Sequence, residues 1–102
     1  HYAVHSGPEW NRHEFDVSVT PRDLWQTYLP AFETLVKEGN VQEVMCAYNR
    51  YEGQPCCGND RLLVDILRNS WNYQGLIVSD TSGCGKRVDR CRTKWDRLGM
   101  RR

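Results

Sequence analysis

The sequence contains no long run of apolar residues. Of its 102 residues, 39% are hydrophobic and 26% are charged. No apolar stretch approaches the roughly 20 residues that a transmembrane helix requires. A chain of this length is enough for one small domain. The composition therefore predicts a single polar domain with no membrane partner.

The sequence also lacks a Cys-x-x-Cys pair. Its cysteines number five, an odd total, and two of them are adjacent. Adjacent cysteines are poorly placed to bind one zinc ion together, because zinc sites use ligands at short regular spacings. We therefore expect small, mostly buried thiols, which leave the redox compartment open. The cysteines are Cys46, Cys56, Cys57, Cys84 and Cys91.

Three histidines occur within the first thirteen residues, which raises the question of a metal site. His1, His5 and His13 are spaced as metal ligands only if they lie on a helix. Gly7-Pro8 falls between them and predicts a loop, which excludes that helix. We therefore expect no metal and no cofactor.

Charge is divided unevenly along the chain. Residues 1–80 hold eleven acidic and six basic side chains, whereas residues 81–102 hold eight basic and two acidic ones. A basic tail is one feature of nucleic-acid-binding proteins. The acidic excess of the longer segment argues against that function, and we predict no nucleic-acid partner. We expect residues 81–102 to form a separate, disordered tail.

The apolar pattern predicts strands alternating with helices. Tyr2–His5 is typical of the end of a strand. Thr20-Pro21 begins a helix, because a threonine cap followed by proline suits the first helical turn. Pro30 interrupts the helical stripe, so we predict a second helix from Pro30 to Gly39-Asn40.

The second half of the chain continues this alternation. Val44–Ala47 is predicted as a strand, and Glu52–Pro55 as a turn. Asn59 is placed to cap a helix that carries an apolar stripe from Leu62 to Trp71. Leu76–Ser79 reads as a buried strand that ends at Asp80.

Strands alternating with helices predict an α/β fold with parallel strands. Both a β/α barrel and a doubly wound sheet have this repeat. Right-handed crossovers would place the strand ends at His5, Tyr48 and Asp80 on one face. In parallel barrels that face carries the active site, so Asp80 is a candidate for catalysis. The alternative is that Asp80 only caps the following turn.

Four segments carry a resemblance to a known family. His1–Glu9, Arg22–Phe32, Val44–Asn49 and Val78-Ser79-Asp80 resemble glycoside hydrolase family 3, in its β-glucosidase and β-xylosidase branch. The segments occur in the family's order and cover residues 1–80, and the resemblance ends at Asp80. It implies a partial (β/α)8 TIM-type barrel with about three consecutive parallel strands and their helices.

The resemblance also implies roles for individual residues. Asp80 matches the catalytic nucleophile. His1 matches the histidine of a Lys-His pair that binds sugar hydroxyls, and the lysine would directly precede it. Tyr48 matches a tyrosine that contacts the nucleophile. Three further residues would line the same pocket or brace its loop: Glu9, Arg12 and His13.

The activity implied by the resemblance is retaining β-glycosidase hydrolysis. Such an enzyme removes terminal β-linked glucose or xylose from an oligosaccharide or aryl glycoside by means of two carboxyl groups. The family's acid/base comes from further along the chain, and nothing after Asp80 matches it. We therefore expect the isolated chain to be inactive without the rest of the barrel and a following domain. A periplasmic or secreted location is compatible with this activity.

A different class of function stays open. The chain could be a non-catalytic carbohydrate-binding or interaction remnant, in which Trp10 stacks on a sugar and no reaction takes place.

Overall fold

A computed structural model describes residues 1–80, which form an α/β fold with parallel strands, as predicted. The strands are β1 (Asp16–Val17), β2 (Glu43–Cys46), β3 (Arg50–Tyr51), β4 (Gln54–Pro55) and β5 (Leu76–Ser79). The helices are α1 (Pro21–Asp23), which continues as the π-helical segment Leu24–Tyr28, then α2 (Pro30–Lys37) and the π-helical α3 (Arg61–Ser70). Short 3₁₀ turns occupy Glu9–Asn11 and Cys56–Gly58. The disorder predicted for residues 81–102 lies outside the described residues.

The central feature is the parallel pairing of β2 with β5. Its register places Cys46 beside Ser79, so both strands end at the same edge. Tyr2 forms an isolated parallel bridge to Cys46 on the other side of β2. Three segments therefore lie side by side in chain order. Asp80 directly follows the end of β5, and Tyr48 lies two residues after the end of β2.

The prediction of a strand over Tyr2–His5 is wrong beyond Tyr2. The Tyr2 N–H donates to the Met45 carbonyl at 2.8 Å, and the Ala47 N–H donates to the Tyr2 carbonyl at 2.9 Å. The Val4 carbonyl instead accepts a hydrogen bond from the Asn49 side chain at 2.6 Å. The described residues thus contain two full parallel strands and one bridge here, rather than three strands.

A second, smaller sheet was not predicted. β1 pairs in parallel with β3, and β3 pairs antiparallel with β4. The predicted turn over Glu52–Pro55 is confirmed for Glu52 and Gly53, which have positive φ values of 50° and 77°. Gln54–Pro55 instead forms β4. Strands of two residues show no alternation of apolar and polar side chains, so the sequence pattern could not reveal them.

The first helical region follows its predicted boundaries. The Asp23 N–H donates to the Thr20 side chain at 3.1 Å, which caps α1. Pro30 starts α2, and the chain leaves that helix through Asn40, which has a positive φ of 48°. No helix within residues 1–80 is long and apolar enough to cross a membrane.

Asn59 joins α3 to the small sheet. Its Oδ1 accepts from the Leu62 N–H at 3.1 Å, and its Nδ2 donates to the Tyr51 carbonyl at 3.1 Å. The predicted cap is therefore confirmed, and the same side chain also satisfies a strand carbonyl. The apolar stripe of α3 packs into the core through Leu62, Leu63, Ile66 and Leu67, all buried.

The expectation of ordinary thiols is wrong for two cysteines. Cys46 at the end of β2 forms a disulfide with Cys57, and their Cα atoms are 5.2 Å apart. The bond depends on the chain reversing through the β3–β4 hairpin, which returns Cys57 to the end of β2 and which spacing alone does not show. Cys56 is a buried free thiol, and its burial raises the pKa to about 12. The disulfide closes the loop that carries Tyr48.

We predict that Asn59→Ala destabilises the chain far more than Thr20→Ala. Both changes remove a helix cap, which costs about 1 kcal/mol. Asn59→Ala also leaves the Tyr51 carbonyl without its side-chain donor in a buried setting, which brings the total to about 2–4 kcal/mol. The free energies of unfolding in urea compare the two variants, and equal losses would contradict the bridging role of Asn59.

Candidate active site

The site begins at a contact between the two ends of the described chain. The Nε2 atom of His1 makes a hydrogen bond with Oδ2 of Asp80. The side chain of His1 is 32% exposed and that of Asp80 is 13% exposed. The carboxylate that ends β5 is therefore sheltered from solvent and held by an imidazole.

Aromatic rings surround His1. Its ring centroid lies 4.4 Å from that of His5 and 5.6 Å from that of Tyr48. His5 and Tyr48 are themselves 6.4 Å apart between centroids. These three rings form a wall beside the Asp80 carboxylate, at the edge where β2 and β5 end.

The wall continues outward into the loop before β1. The His13 ring stacks on Tyr48 with centroids 4.4 Å apart and an angle of 22° between planes. The Nε atom of Arg12 donates to Nε2 of His13 at 3.0 Å, and an Nη atom of Arg12 donates to Glu9 at 2.7 Å. The side chain of Glu9 is 84% exposed, so the series ends at the solvent-facing rim.

The structure thus places all six sequence-predicted site residues in one connected series. It starts at the sheltered carboxylate and runs outward through an imidazole, a phenol, a second imidazole, a guanidinium and an exposed carboxylate. In that order the residues are Asp80, His1, Tyr48, His13, Arg12 and Glu9.

Asn49 is a buried residue of this region whose contribution was not predicted. Its Nδ2 donates to the Val4 carbonyl at 2.6 Å and to the Arg50 carbonyl at 3.0 Å. Only the amide NH₂ group can donate to two carbonyls, so Oδ1 must face His5, whose Nδ1 lies 3.0 Å away. Nδ1 of His5 therefore carries the proton. The position of an amide directly after Tyr48 at a strand end was the available sequence signal.

Phe15 anchors the loop that carries the outer residues. Its ring stacks against His5 with centroids 5.7 Å apart. Gly7 also packs against this ring, so closely that a Cβ there would lie 2.8 Å from the Phe15 ring. The loop is therefore fixed to the inner wall by a buried side chain.

The arrangement suits nucleophilic or base chemistry at Asp80. A hydrogen bond to a carboxylate favours its charged form, and an ionised carboxylate can attack an electrophilic carbon. Aromatic walls with a few convergent polar groups are typical of small-ligand sites. Among residues 1–80, no cluster of three His, Cys, Asp or Glu side chains is arranged to hold a metal ion.

Comparison with known proteins identifies the family of the chain. Residues 1–97 match the glycosyl hydrolase family 3 N-terminal domain. The chain is 57% identical over 86 residues to a xylan 1,4-beta-xylosidase of Xylanibacter ruminicola, a match that covers 83% of this chain and 10% of that protein. It is 41% identical over 83 residues to a beta-xylosidase/alpha-L-arabinofuranosidase of Medicago sativa, covering 78% of this chain and 11% of the relative.

A solved structure shows the same fold. The GH3 beta-glucosidase of Bifidobacterium adolescentis superimposes with a TM-score of 0.82 at 34% identity, over 92% of this chain and 14% of that enzyme. The chain belongs to glycoside hydrolase family 3, within the family's N-terminal domain. It spans about a tenth of the length of the two curated relatives. The family match runs past Asp80, where the sequence resemblance was expected to end.

We predict that His5 is held as the Nδ1–H tautomer by Asn49. Nitrogen chemical shifts of a ¹⁵N-labelled chain should show a protonated Nδ1 and an unprotonated Nε2 while the His5 ring is neutral. Asn49→Ala should release this preference, because the acceptor for Nδ1–H is lost.

His13→Gln is the control for the tautomer measurement. It removes the imidazole whose Nε2 accepts from Arg12 rather than the acceptor that faces His5. The His5 signals should keep their pattern in that variant. A dominant Nε2–H form of His5 in the unsubstituted chain would contradict the assignment.

Proposed function

We propose that this chain is part of the catalytic barrel of a retaining β-glycosidase that removes terminal β-linked glucose or xylose from oligosaccharides or aryl glycosides. Asp80 is the nucleophile. The observation that carries the proposal is the sheltered Asp80 carboxylate, hydrogen-bonded to His1 at the edge where two parallel strands end. Family membership with xylosidase and glucosidase relatives supports the same reaction.

In this reaction an oxygen of Asp80 attacks the anomeric carbon as the glycosidic bond breaks. The departing oxygen takes a proton from an acid group, and water later cleaves the glycosyl–Asp80 ester as the same group removes a proton from it. The Nε2–H of His1 hydrogen-bonds the carboxylate before the attack. In this proposal His1 also binds a hydroxyl of the sugar. Tyr48 forms the wall beside both groups.

The outer residues serve substrate binding. Arg12 is held between Glu9 and His13, and His13 stacks on Tyr48, so their positions depend on the inner wall. Glu9, Arg12 and His13 therefore supply polar groups at the rim, where the leaving part of the substrate would lie.

The acid/base residue comes from outside residues 1–80. In a retaining enzyme the two carboxyl groups stand only about 5–5.5 Å apart. Glu43 begins β2 and pairs with Leu76, four residues before Asp80, which is about 13 Å along a strand. Glu9 lies at the far end of the series and binds Arg12. Neither residue fits the role.

The open face of the β2–β5 pair supports the proposal that a larger barrel completes the fold. Met45 and Leu76 are each 36% exposed on that face, whereas Val44 and Ile77 on the other face are buried. Parallel sheets in α/β proteins are covered on both faces. The remaining strands of a (β/α)8 barrel would cover these apolar side chains and close the sheet.

The isolated 102-residue chain should not hydrolyse nitrophenyl β-xyloside or β-glucoside, because neither Glu9 nor Glu43 fits the acid/base role and the strands of residues 1–80 are too few to close a barrel. The release of nitrophenolate by the purified chain measures this. Turnover that disappears in Asp80→Asn would contradict the assignment of the acid/base to another segment.

Activity of the assigned nucleophile can be tested in a chimaera. We define the xylosidase chimaera as the Xylanibacter ruminicola relative in which residues 1–80 of this chain replace the aligned segment. It should hydrolyse nitrophenyl β-xyloside, and Asp80→Ala should reduce kcat by at least about 10⁴-fold. Azide should restore turnover to Asp80→Ala by attacking the anomeric carbon from the vacated side, which yields an α-xylosyl azide.

The control for azide rescue is Glu9→Ala in the same chimaera. Glu9 is assigned to binding, so the variant should raise KM and form no xylosyl azide. Full activity of Asp80→Ala without azide would refute the nucleophile assignment. Formation of a β-xylosyl azide would show that azide approaches from the wrong face for this mechanism.

One observation favours a second candidate, a non-catalytic carbohydrate-binding remnant. The Trp10 side chain is 85% exposed in the same loop as Arg12 and His13. This function predicts that the isolated chain binds xylotriose by calorimetric titration without hydrolysing it. Absence of binding would leave only the catalytic proposal.

A further inference from the structure

Trp10 is exposed although the segment around it is well ordered by hydrogen bonds. The Asn11 N–H donates to the Pro8 carbonyl at 3.0 Å, and the Glu14 and Phe15 N–H groups donate to the Asn11 carbonyl at 3.0 and 3.1 Å. Together with the Glu9–Arg12 ion pair, these bonds fix the turn on both sides of Trp10. Trp10 is therefore exposed on a turn that hydrogen bonds and an ion pair hold in place.

The surroundings of Trp10 are polar. A cavity of about 570 Å³ is lined by the six consecutive residues from Glu9 to Glu14. Glu9, Arg12 and Glu14 bring three charged side chains to it. Cores of protein–protein interfaces are depleted in charged residues, whereas small-ligand sites combine an aromatic surface with a few polar groups. This composition favours a sugar over another protein domain as the occupant.

A series of contacts connects the Glu9–Glu14 turn to the Asp80 carboxylate. Arg12 and His13 connect the turn to Tyr48, and Tyr48 lies beside His1, which binds Asp80. The sugar attacked by Asp80 would occupy the inner end of this series. The next sugar of the chain, which leaves with the glycosidic oxygen, would extend toward the outer end.

We propose that Trp10 is a specificity-determining residue that stacks on the leaving-group sugar of an oligosaccharide substrate. Its indole face receives the apolar face of the pyranose ring, and Glu9 and Arg12 hydrogen-bond the hydroxyls at its edge. This inference rests on the proposed function. It adds that the site distinguishes oligosaccharides from substrates whose leaving group has no ring.

The test compares two substrates in the xylosidase chimaera. Xylotriose presents a leaving sugar, whereas β-xylosyl fluoride has a single atom as its leaving group. For Trp10→Ala, the ratio of kcat/KM on xylotriose to kcat/KM on the fluoride should fall about tenfold. Trp10→Phe should restore most of the ratio, because a flat ring is retained.

Trp25→Ala is the matched control. Trp25 is also exposed, at 41%, but it belongs to the helical segment Leu24–Tyr28 and does not line the cavity of the Glu9–Glu14 turn. Trp25→Ala should leave the ratio within twofold of its value in the unsubstituted chimaera. That change is clearly smaller than the tenfold fall expected for Trp10→Ala.

Two results would overturn the inference. An unchanged ratio in Trp10→Ala would show that the indole does not touch the leaving sugar. Equal losses on both substrates together with a lower melting temperature would show that Trp10 packs against another part of the protein. Failure of the proposed function itself gives a different result, since Asp80→Ala would then keep activity on both substrates.

Discussion

The parallel ladder between β2 and β5 is the constraint on which the site depends. Its register ends both strands at one edge, and the Tyr2 bridge brings the start of the chain to the same place. A shift of one residue along β5 would turn its alternating side chains to the opposite face. Asp80 would then lose His1, and Tyr48 would no longer stand beside the carboxylate.

The remaining elements serve to hold the loops above this edge. The disulfide between Cys46 and Cys57 closes the segment that carries Tyr48 and Asn49. The small sheet connects the outer loop to that segment, since the Arg50 N–H donates to the Phe15 carbonyl at 2.9 Å. The buried Asn49 then joins Val4, Arg50 and His5. A short piece of chain thus builds a hydrogen-bonded wall from side chains far apart in sequence.

Much of this architecture could be predicted because it follows from local chemistry. The Thr20 cap, Pro30 and Asn59 mark helix boundaries by hydrogen bonding and backbone restriction, and these acted as expected. The apolar run before Asp80 similarly gave the limits of β5. The candidate site residues were predicted from the resemblance to family motifs, and the structure brings them together in one series.

The missed features depend on contacts between distant residues. The Cys46–Cys57 bond and the two-residue strands form only when the β3–β4 hairpin folds, and no periodicity in the sequence predicts them. Only Tyr2 of the segment Tyr2–His5 pairs with β2, and the Val4 carbonyl accepts from the Asn49 side chain instead. The strand-like composition of Tyr2–His5 does not reveal this. The Nδ1–H tautomer of His5 follows from the orientation of the buried Asn49 amide, so only the folded structure could show it.

The most direct test of the account is covalent trapping of the nucleophile. The xylosidase chimaera is treated with 2,4-dinitrophenyl 2-deoxy-2-fluoro-β-xyloside, which loses dinitrophenolate as the enzyme carboxylate bonds to the anomeric carbon. Peptide mass spectrometry then locates the fluoroxylosyl group. The account predicts the label on Asp80, and a label on any other carboxylate, such as Glu9 or Glu43, would contradict it.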